Sequence, residues 1–369
     1  MAGEEFFAFS RKLGEQVSPD GVNIYFCFSF LKLELKGPFG QYNKEQKQGM
    51  IKANNLFKWY GSKQVVDDVS FQVAKGEVLG FLGPNGAGKS TTMRMLTGFL
   101  PMSSGSVEIG GHVLVDEPLK AKSLFGYLPE NAPAYADMTV EGFLEFTASM
   151  RDLSGDAKRD AVEKAIVTCH LGSVSKQSID TLSKGYRHRT CFAQAILHDP
   201  PILILDEPTD GLDPNQKHEM RELIKRMGQD KAIIVSTHIL EEVEAICTRV
   251  IIIDQGKLVF NGTPAEMRAK SAEAGGVTIR VQGVQKPDLT DVLERIPEAG
   301  RPIEVKEVDG ALVATIPHQS GKSGLAAKIK AELDRRSWAF DELHTNSGRL
   351  DDVFRAITSL DVATNQENN

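Results

Sequence analysis

Residues 83–91 form a glycine-rich segment, Gly-Pro-Asn-Gly-Ala-Gly-Lys-Ser-Thr, directly after the apolar run Val78 to Leu82. The segment is a complete G-x-x-x-x-G-K-[ST] loop, whose glycines let successive backbone N–H groups curl around phosphate oxygens. We expect a strand, this loop and then a helix whose N-terminus adds partial positive charge. Lys89 is expected to reach the β- and γ-phosphates of a nucleotide, and Ser90 to bind Mg²⁺. The candidate nucleotide-binding residues are Gly83, Pro84, Asn85, Gly86, Ala87, Gly88, Lys89, Ser90 and Thr91.

Short apolar runs alternate with amphipathic stretches from about Met50 to Glu266, which is the pattern of an α/β domain. The central runs are apolar throughout, as expected for strands of a parallel sheet that is covered on both faces. The stretch 139–200 is mainly helical in its spacing and predicts a helical insertion. The predicted strands of the sheet are Val78 to Leu82, Ile202 to Leu205, Ile233 to Val235 and Val250 to Ile253.

Two carboxylates follow the second of these runs, at Asp206 and Glu207. Four apolar residues place the strand Ile202 to Leu205 in the core and deliver both carboxylates at its end. Asp206 can hold Mg²⁺ through water, and Glu207 is placed to polarise the water that attacks the γ-phosphate. Together with the glycine-rich loop, this pair predicts a nucleoside-triphosphate hydrolase.

Three further motifs indicate which family of nucleoside-triphosphate hydrolases the chain resembles. Leu182-Ser183-Lys184-Gly185-Tyr186-Arg187 precedes the acidic pair and heads a predicted helix, Gly211-Leu212-Asp213 follows the pair, and Ser236-Thr237-His238 follows the next strand. With the loop and the acidic pair, they resemble the ATP-binding cassette (ABC) family over about residues 51–265, in the family's order. The resemblance implies a P-loop cassette with a mixed sheet and a helical subdomain, and ATP and Mg²⁺ as cofactors.

The resemblance also implies roles for individual residues. In this family two cassettes sandwich two ATP molecules head to tail, so Ser183 and Gly185 of one subunit would meet the γ-phosphate held by Lys89 of the other. His238 would contact the γ-phosphate and orient the attacking water, and Asp213 would link the two sites across the dimer. Tyr60 would stack on adenine, as aromatic rings do with bases. The alternatives are a core tyrosine at Tyr60 and a core histidine at His238.

The chain departs from the commonest family pattern at two positions. The signature usually has glycine where Lys184 stands, but the serine and the second glycine that contact phosphate are present. Glu130 stands where the family usually has glutamine, and its carboxylate can ligate Mg²⁺ or mark the boundary of the helical insertion. These departures resemble the ATPase subunits of bacterial type-2 ABC exporters, the drug-resistance and gliding-motility-associated group. The candidate metal-binding residues are therefore Ser90, Asp206 and Glu130.

The rest of the chain divides into further segments. Residues 1–49 lack a regular pattern and are interpreted as upstream sequence or an extension before a start at Met50. We expect the cassette at 50–266, a linker at 267–276, and an accessory domain at 277–360 with the strand and helix order βαββαβ, which is ferredoxin-like. A polar tail is expected at 361–369.

Composition and hydropathy bear on the partners and the membrane location expected for the predicted ATPase. The chain has 369 residues and a formal net charge of −7, and we expect no nucleic-acid partner. No run reaches the ~20 apolar residues of a membrane-spanning helix. The resemblance therefore implies a homodimer at the cytoplasmic face of the cell membrane that powers export through a separate permease. The alternative is an ABC ATPase that acts on nucleic acid or the ribosome, but the stretch from Lys89 to Asp206 has room only for the helical insertion. A cassette that binds ATP without turnover is opposed by the presence of Glu207 and His238.

Overall fold

A computed structural model describes residues 50–131, 133–271, 273–319 and 324–366. The predicted extension at residues 1–49 lies outside the described residues. Within them, no helix is long and apolar enough to cross a membrane.

The cassette is built on a six-stranded sheet with the order β10-β9-β3-β8-β7-β6. Neighbouring strands run parallel from β9 to β6, and only β10 pairs antiparallel, with β9. Every residue of β3 and β7 is buried, which confirms the inference from continuous apolar runs. The strands are β3 (Val78–Leu82), β6 (Phe125–Leu128), β7 (Ile202–Asp206), β8 (Ala232–Thr237), β9 (Arg249–Asp254) and β10 (Lys257–Gly262).

A second, antiparallel sheet covers one face of the first. Its order is β2-β1-β4-β5, with β1 (Ile51–Tyr60), β2 (Lys63–Val73), β4 (Ser104–Ile109) and β5 (His112–Val113). Helix α1 (Lys89–Leu96) contributes Met93 and Leu96 to a core that also contains Phe81 and Ile251 of the parallel sheet. The short helix α2 (Pro118–Ser123) follows β5. The helix after the phosphate loop is thereby fixed against two sheets.

The other face of the parallel sheet packs against helices. The predicted insertion contains α3 (Val140–Met150), α4 (Gly155–Thr168), two short 3-10 turns and α5 (Lys184–Ile196). Helix α6 (Pro214–Met227) follows β7, and α7 (Leu240–Ile246) follows β8. Phe143, Phe192 and Ile224 of these helices share one core with Leu203 and Val235 of the sheet.

The accessory domain has the expected order βαββαβ. Its antiparallel sheet is ordered β12-β13-β11-β14, and both helices bury Leu289, Leu293, Ile329 and Leu333 against it. After α8 (Pro264–Arg268), the elements are β11 (Val277–Val281), α9 (Lys286–Glu294), β12 (Glu304–Val308), β13 (Ala311–Ile316), α10 (Leu325–Arg335) and β14 (Phe340–Thr345).

The last helix, α11 (Leu350–Gln366), differs from expectation in where it ends and in the surface on which it packs. Its backbone stays helical to Gln366, although we expected a polar tail from residue 361. Its apolar residues Leu350 and Val353 are buried against the cassette, in a cluster with Val250 and Met267, and not in the core of the accessory domain. The chain therefore returns from the accessory domain to cover the β9–β10 side of the cassette.

Candidate functional site

The phosphate loop connects the end of β3 to the start of α1. Gly88 caps α1 with φ 105°, a conformation that favours glycine, and a Cβ there would lie 2.7 Å from the carbonyl oxygen of Val65. A Cβ on Gly83 would collide with the carbonyl oxygen of Ile253. Both glycines are thus required by close backbone contacts. At the tip of the loop Asn85 and Gly86 are exposed, while Ala87 and Gly88 are buried and Pro84, Ser90 and Thr91 are half-buried.

Lys89 is buried at the base of this loop. Its Nζ donates hydrogen bonds to the carbonyl oxygens of Gly83, at 2.7 Å, and Pro84, at 3.1 Å. Burial lowers the pKa of Lys89, and the nearby charges of Glu207, Asp206 and Glu130 act in the opposite direction. The lysine and the three predicted carboxylates therefore lie close enough to influence one another, so the structure brings these parts of the sequence together.

Asp206 ends β7 with 1% of its surface exposed. The hydroxyl of Ser236, on the neighbouring strand β8, donates a hydrogen bond to Asp206 Oδ1. Burial raises the pKa of Asp206, the Ser236 hydrogen bond lowers it, and the negative charge of Glu130 raises it. The nearby Ser90 hydroxyl also lowers this pKa. Ser236 was not among the predicted site residues, although its position just before Thr237-His238 was a signal.

The oxygen set of Ser90, Asp206 and Glu130 fits a magnesium ion. Mg²⁺ takes oxygen ligands, and in nucleotide sites it uses one or two carboxylates together with substrate phosphates and water. A divalent cation would relieve both the burial of the Asp206 charge and its repulsion by Glu130. Among the described residues no group of three or more His, Cys, Asp or Glu side chains is placed to hold a metal ion.

Glu207 and His238 meet at the ends of adjacent strands. His238 Nδ1 lies 3.0 Å from Glu207 Oε1 and 3.1 Å from Oε2. Burial raises the pKa of Glu207, while the hydrogen bond with His238 lowers it. Glu207 has φ 50°, held by hydrogen bonds from its N–H to the carbonyl oxygen of Ser236, at 3.2 Å, and to its Oγ, at 3.1 Å. His238 is exposed, so the alternative of a core histidine is wrong.

The signature residues form a second cluster at the N-termini of α5 and α6. Ser183 caps α5, its Oγ accepting from the N–H of Tyr186 at 3.3 Å, and Asp213 caps α6, its Oδ1 accepting from the N–H of Gln216 at 2.9 Å. The Gln216 side chain packs directly over Gly185. A cavity of about 630 Å³ lies between the two helices beside Tyr186, Asp213 and Gln216.

Lys184, the departure from the family pattern, has a partner. Its Nζ lies 2.7 Å from Asp210 Oδ2, and its side chain lies over Gly211. The hydrogen bond from Lys184 lowers the pKa of Asp210. The side chain that replaces a glycine in the signature thus connects it to the segment Asp210 to Asp213, which sequence reasoning did not predict.

Tyr60 ends β1 and is 50% exposed, so the alternative of a core tyrosine is wrong. Lys58 Nζ lies 5.2 Å from the centre of its ring. An exposed aromatic ring at a strand end is available for stacking.

Three comparisons with known proteins concern the family and the fold. The family model described as ABC transporter matches residues 66–210. Linearmycin resistance ATP-binding protein LnrL of Bacillus subtilis is 36% identical over 66% of this chain and 78% of that protein. Nod factor export ATP-binding protein I of Paraburkholderia xenovorans is 31% identical over 85% of this chain and 99% of that protein. The dimeric structure of a bacterial ABC transporter cassette, 23% identical, superposes with a TM-score of 0.55 over 58% of this chain and 99% of that one, and shows the same fold.

Proposed function

The chain belongs to the ATP-binding subunits of ABC transporters, and we propose that it hydrolyses Mg²⁺-ATP at two sites shared head to tail by two copies of the chain. The observation that carries the proposal is the contact of Glu207 with His238, 3.0 Å apart, beside the buried Lys89. A carboxylate and an imidazole at the carboxyl ends of neighbouring parallel strands, next to a phosphate loop, are suited to activate water against a γ-phosphate.

Each residue has a distinct role in this proposal. The loop 83–91 and Lys89 bind the β- and γ-phosphates, and Tyr60 stacks on adenine. Glu207 accepts a proton from the attacking water, and His238 orients that water and contacts the γ-phosphate. Ser90, Asp206 and Glu130 would hold Mg²⁺, which would supply positive charge against the phosphates. The raised pKa of Glu207 favours proton acceptance at neutral pH.

The second cluster completes the partner's site. The hydroxyl of Ser183 and the N–H of Gly185 lie at the N-terminus of α5, where an anion is stabilised. We propose that they contact the ATP held by Lys89 of a second copy, and that Asp213 connects the two sites. The relative solved as a dimer has the same cassette fold.

We further propose that the dimer works at the cytoplasmic face of the cell membrane, bound to a separate permease, and powers export. The names of two relatives refer to resistance and to Nod factor export, and both call the protein an ATP-binding protein. These names and the matched family favour a transporter over an ATPase of nucleic acid or the ribosome.

The replacement Glu207→Gln tests this function. Loss of the proton acceptor should lower kcat about 10²-fold or more, while ATP binding persists and the ATP-bound dimer becomes more stable. The chain offers a matched control, because the sequence Asp206-Glu207-Pro208 occurs a second time as Asp116-Glu117-Pro118. There Glu117 contacts His112 and Lys120. Glu117→Gln should hydrolyse ATP like the parent. Parental turnover by Glu207→Gln would contradict the assignment of Glu207 as the base.

A further inference from the structure

Glu242 lies in the first turn of α7 and is 0% exposed. Its neighbour in the same turn, Glu241, is exposed. Burial of an ionised carboxylate costs several kcal/mol unless hydrogen bonds and an opposite charge compensate it. A carboxylate enclosed so completely therefore requires partners that stabilise it.

Three side chains supply that compensation. The hydroxyl of Thr209 donates a hydrogen bond to Glu242 Oε1, and the hydroxyl of Thr237 donates to Oε2 at 2.7 Å. Arg221 of α6 lies with Nη2 3.6 Å from Oε1. Both threonines are themselves buried. One carboxylate thus connects four parts of the cassette: α6, α7, the segment that follows β7 and the end of β8.

The two threonines lie beside the proposed catalytic groups, Thr209 in the turn after Glu207 and Thr237 at the end of β8. Thr209 follows Glu207 by two positions, in a turn closed by a hydrogen bond from the N–H of Asp210 to the carbonyl oxygen of Glu207, at 3.1 Å. Thr237 directly precedes His238, and its Oγ1 also accepts from the N–H of Ile239, at 3.0 Å. Each oxygen of Glu242 therefore holds one threonine next to one of the two proposed catalytic residues.

We propose that Glu242 is a positioning residue that holds Glu207 and His238 in register with each other for hydrolysis. The inference rests on the proposed roles of these two residues. Glu242 is fully buried, and the proposal gives it no contact with the phosphates. It acts through the Thr209 and Thr237 hydroxyls, which set the separation between the turn after β7 and the end of β8.

The replacement Glu242→Gln keeps the shape of the side chain but provides only one accepting oxygen, so one threonine loses its acceptor. We expect kcat to fall about 10-fold to 100-fold, since misplacement by about 1 Å costs on that scale. The KM for ATP and the affinity for ATP should stay within about twofold of the parent, because the hydrogen-bond and ion-pair partners of Glu242 are Thr209, Thr237 and Arg221, none of which belongs to the phosphate loop. The matched control is Glu241→Gln in the same helical turn, which should leave kcat unchanged.

A second pair of variants avoids a change of charge in the core. Thr209→Val removes the hydroxyl at nearly constant shape, whereas Thr209→Ser retains it. We expect Thr209→Val to lose activity as Glu242→Gln does, Thr209→Ser to recover most of the parental kcat, and the double variant Glu242→Gln/Thr209→Val to lose less than the product of the two single effects. This pair decides the question if Glu242→Gln fails to fold.

The experiment measures steady-state ATPase activity, ATP binding and thermal unfolding of the full chain, with Glu207→Gln alongside. A lowered kcat with retained ATP binding, restored by Thr209→Ser, supports positioning. Parental kcat in Glu242→Gln and Thr209→Val overturns it, as does a loss of ATP binding in proportion to kcat, which indicates a structural role only. If Glu207→Gln itself keeps parental turnover, the proposed function fails instead, which distinguishes the two results.

Discussion

His238 Nδ1 and Glu207 Oε1 are 3.0 Å apart, although the two residues are 31 positions apart in the chain. The contact arises because β7 and β8 are adjacent in the parallel sheet and end at the same edge. It joins the proposed base to the residue proposed to orient water, and it lowers the pKa of Glu207, which burial raises.

We expect His238→Ala to move the acidic limb of the kcat/KM profile to higher pH. Burial already raises the pKa of Glu207, and the His238 hydrogen bond is the strongest influence that lowers it. Without that bond the pKa rises further, so a higher pH is needed to keep the base ionised. The kcat at pH 8 should fall about 10²-fold. His218→Ala, at an exposed histidine of α6, is the control; an acidic limb that stays in place in His238→Ala would contradict the coupling.

Asp206→Asn should stabilise the nucleotide-free protein at neutral pH. The raised pKa of Asp206 means that the folded state binds its proton more tightly than the unfolded state, so above the folded pKa the charge destabilises the fold. Asparagine removes the charge and keeps an oxygen that accepts from Ser236. The advantage of the variant in thermal unfolding should shrink as pH falls through the folded pKa toward the unfolded value.

The same variant should lose stabilisation by Mg²⁺-ATP. At a hundredfold excess over Kd the parent should gain about 2.7 kcal/mol, and Asp206→Asn should gain much less. Asp116→Asn, an exposed aspartate in the other Asp-Glu-Pro sequence, should behave like the parent in both measurements. If the nucleotide-free Asp206→Asn protein is less stable than the parent, burial of the Asp206 charge is not what most destabilises the parent fold at this site.

Lys184→Ala should affect turnover more than stability. The Lys184–Asp210 ion pair is exposed, so its loss should change the free energy of unfolding by less than about 1 kcal/mol. The pair nevertheless anchors the segment Asp210 to Asp213 to the signature helix, and we expect kcat to fall roughly threefold to tenfold. Lys176→Ala breaks another ion pair of the same insertion, between the exposed Lys176 and the half-buried Glu141, and should leave kcat unchanged. Equal kcat in the two variants would mean that the Lys184 pair has no role in turnover.

Leu350→Ala should destabilise the cassette. Leu350 is buried in the cluster that joins α11 to Val250 and Met267, and truncation of a buried leucine costs about 2–5 kcal/mol. The adjacent exposed Asp351 provides the control, since Asp351→Ala should change stability by no more than about 0.5 kcal/mol. The measurement is urea unfolding, followed by one probe within the cassette and one within the accessory domain. A loss confined to the accessory domain would show that α11 does not support the cassette.

Much of the fold follows from local patterns in the sequence. The apolar runs predicted the buried strands, and the glycines of residues 83–88 predicted the loop, because both depend on consecutive residues and on backbone conformation. Alternation and helical spacing also predicted the βαββαβ order of the accessory domain. The family resemblance, carried by short motifs in a fixed order, added expected roles for residues such as His238 and Asp213.

Other features depend on which distant segments become neighbours. The sequence alone placed Lys184 in the signature, but only the fold brings Asp210 within 2.7 Å of it. The pattern of α7 does not distinguish Glu242 from the exposed Glu241; the packing of α6, α7 and two strand ends against one another buries the first. Likewise, the amphipathic spacing of α11 predicted that the segment is helical, but it did not predict which surface of the protein the helix covers. Local sequence determines backbone conformation and which face is apolar, whereas the order of strands and the packing of helices determine which charges and hydroxyl groups meet.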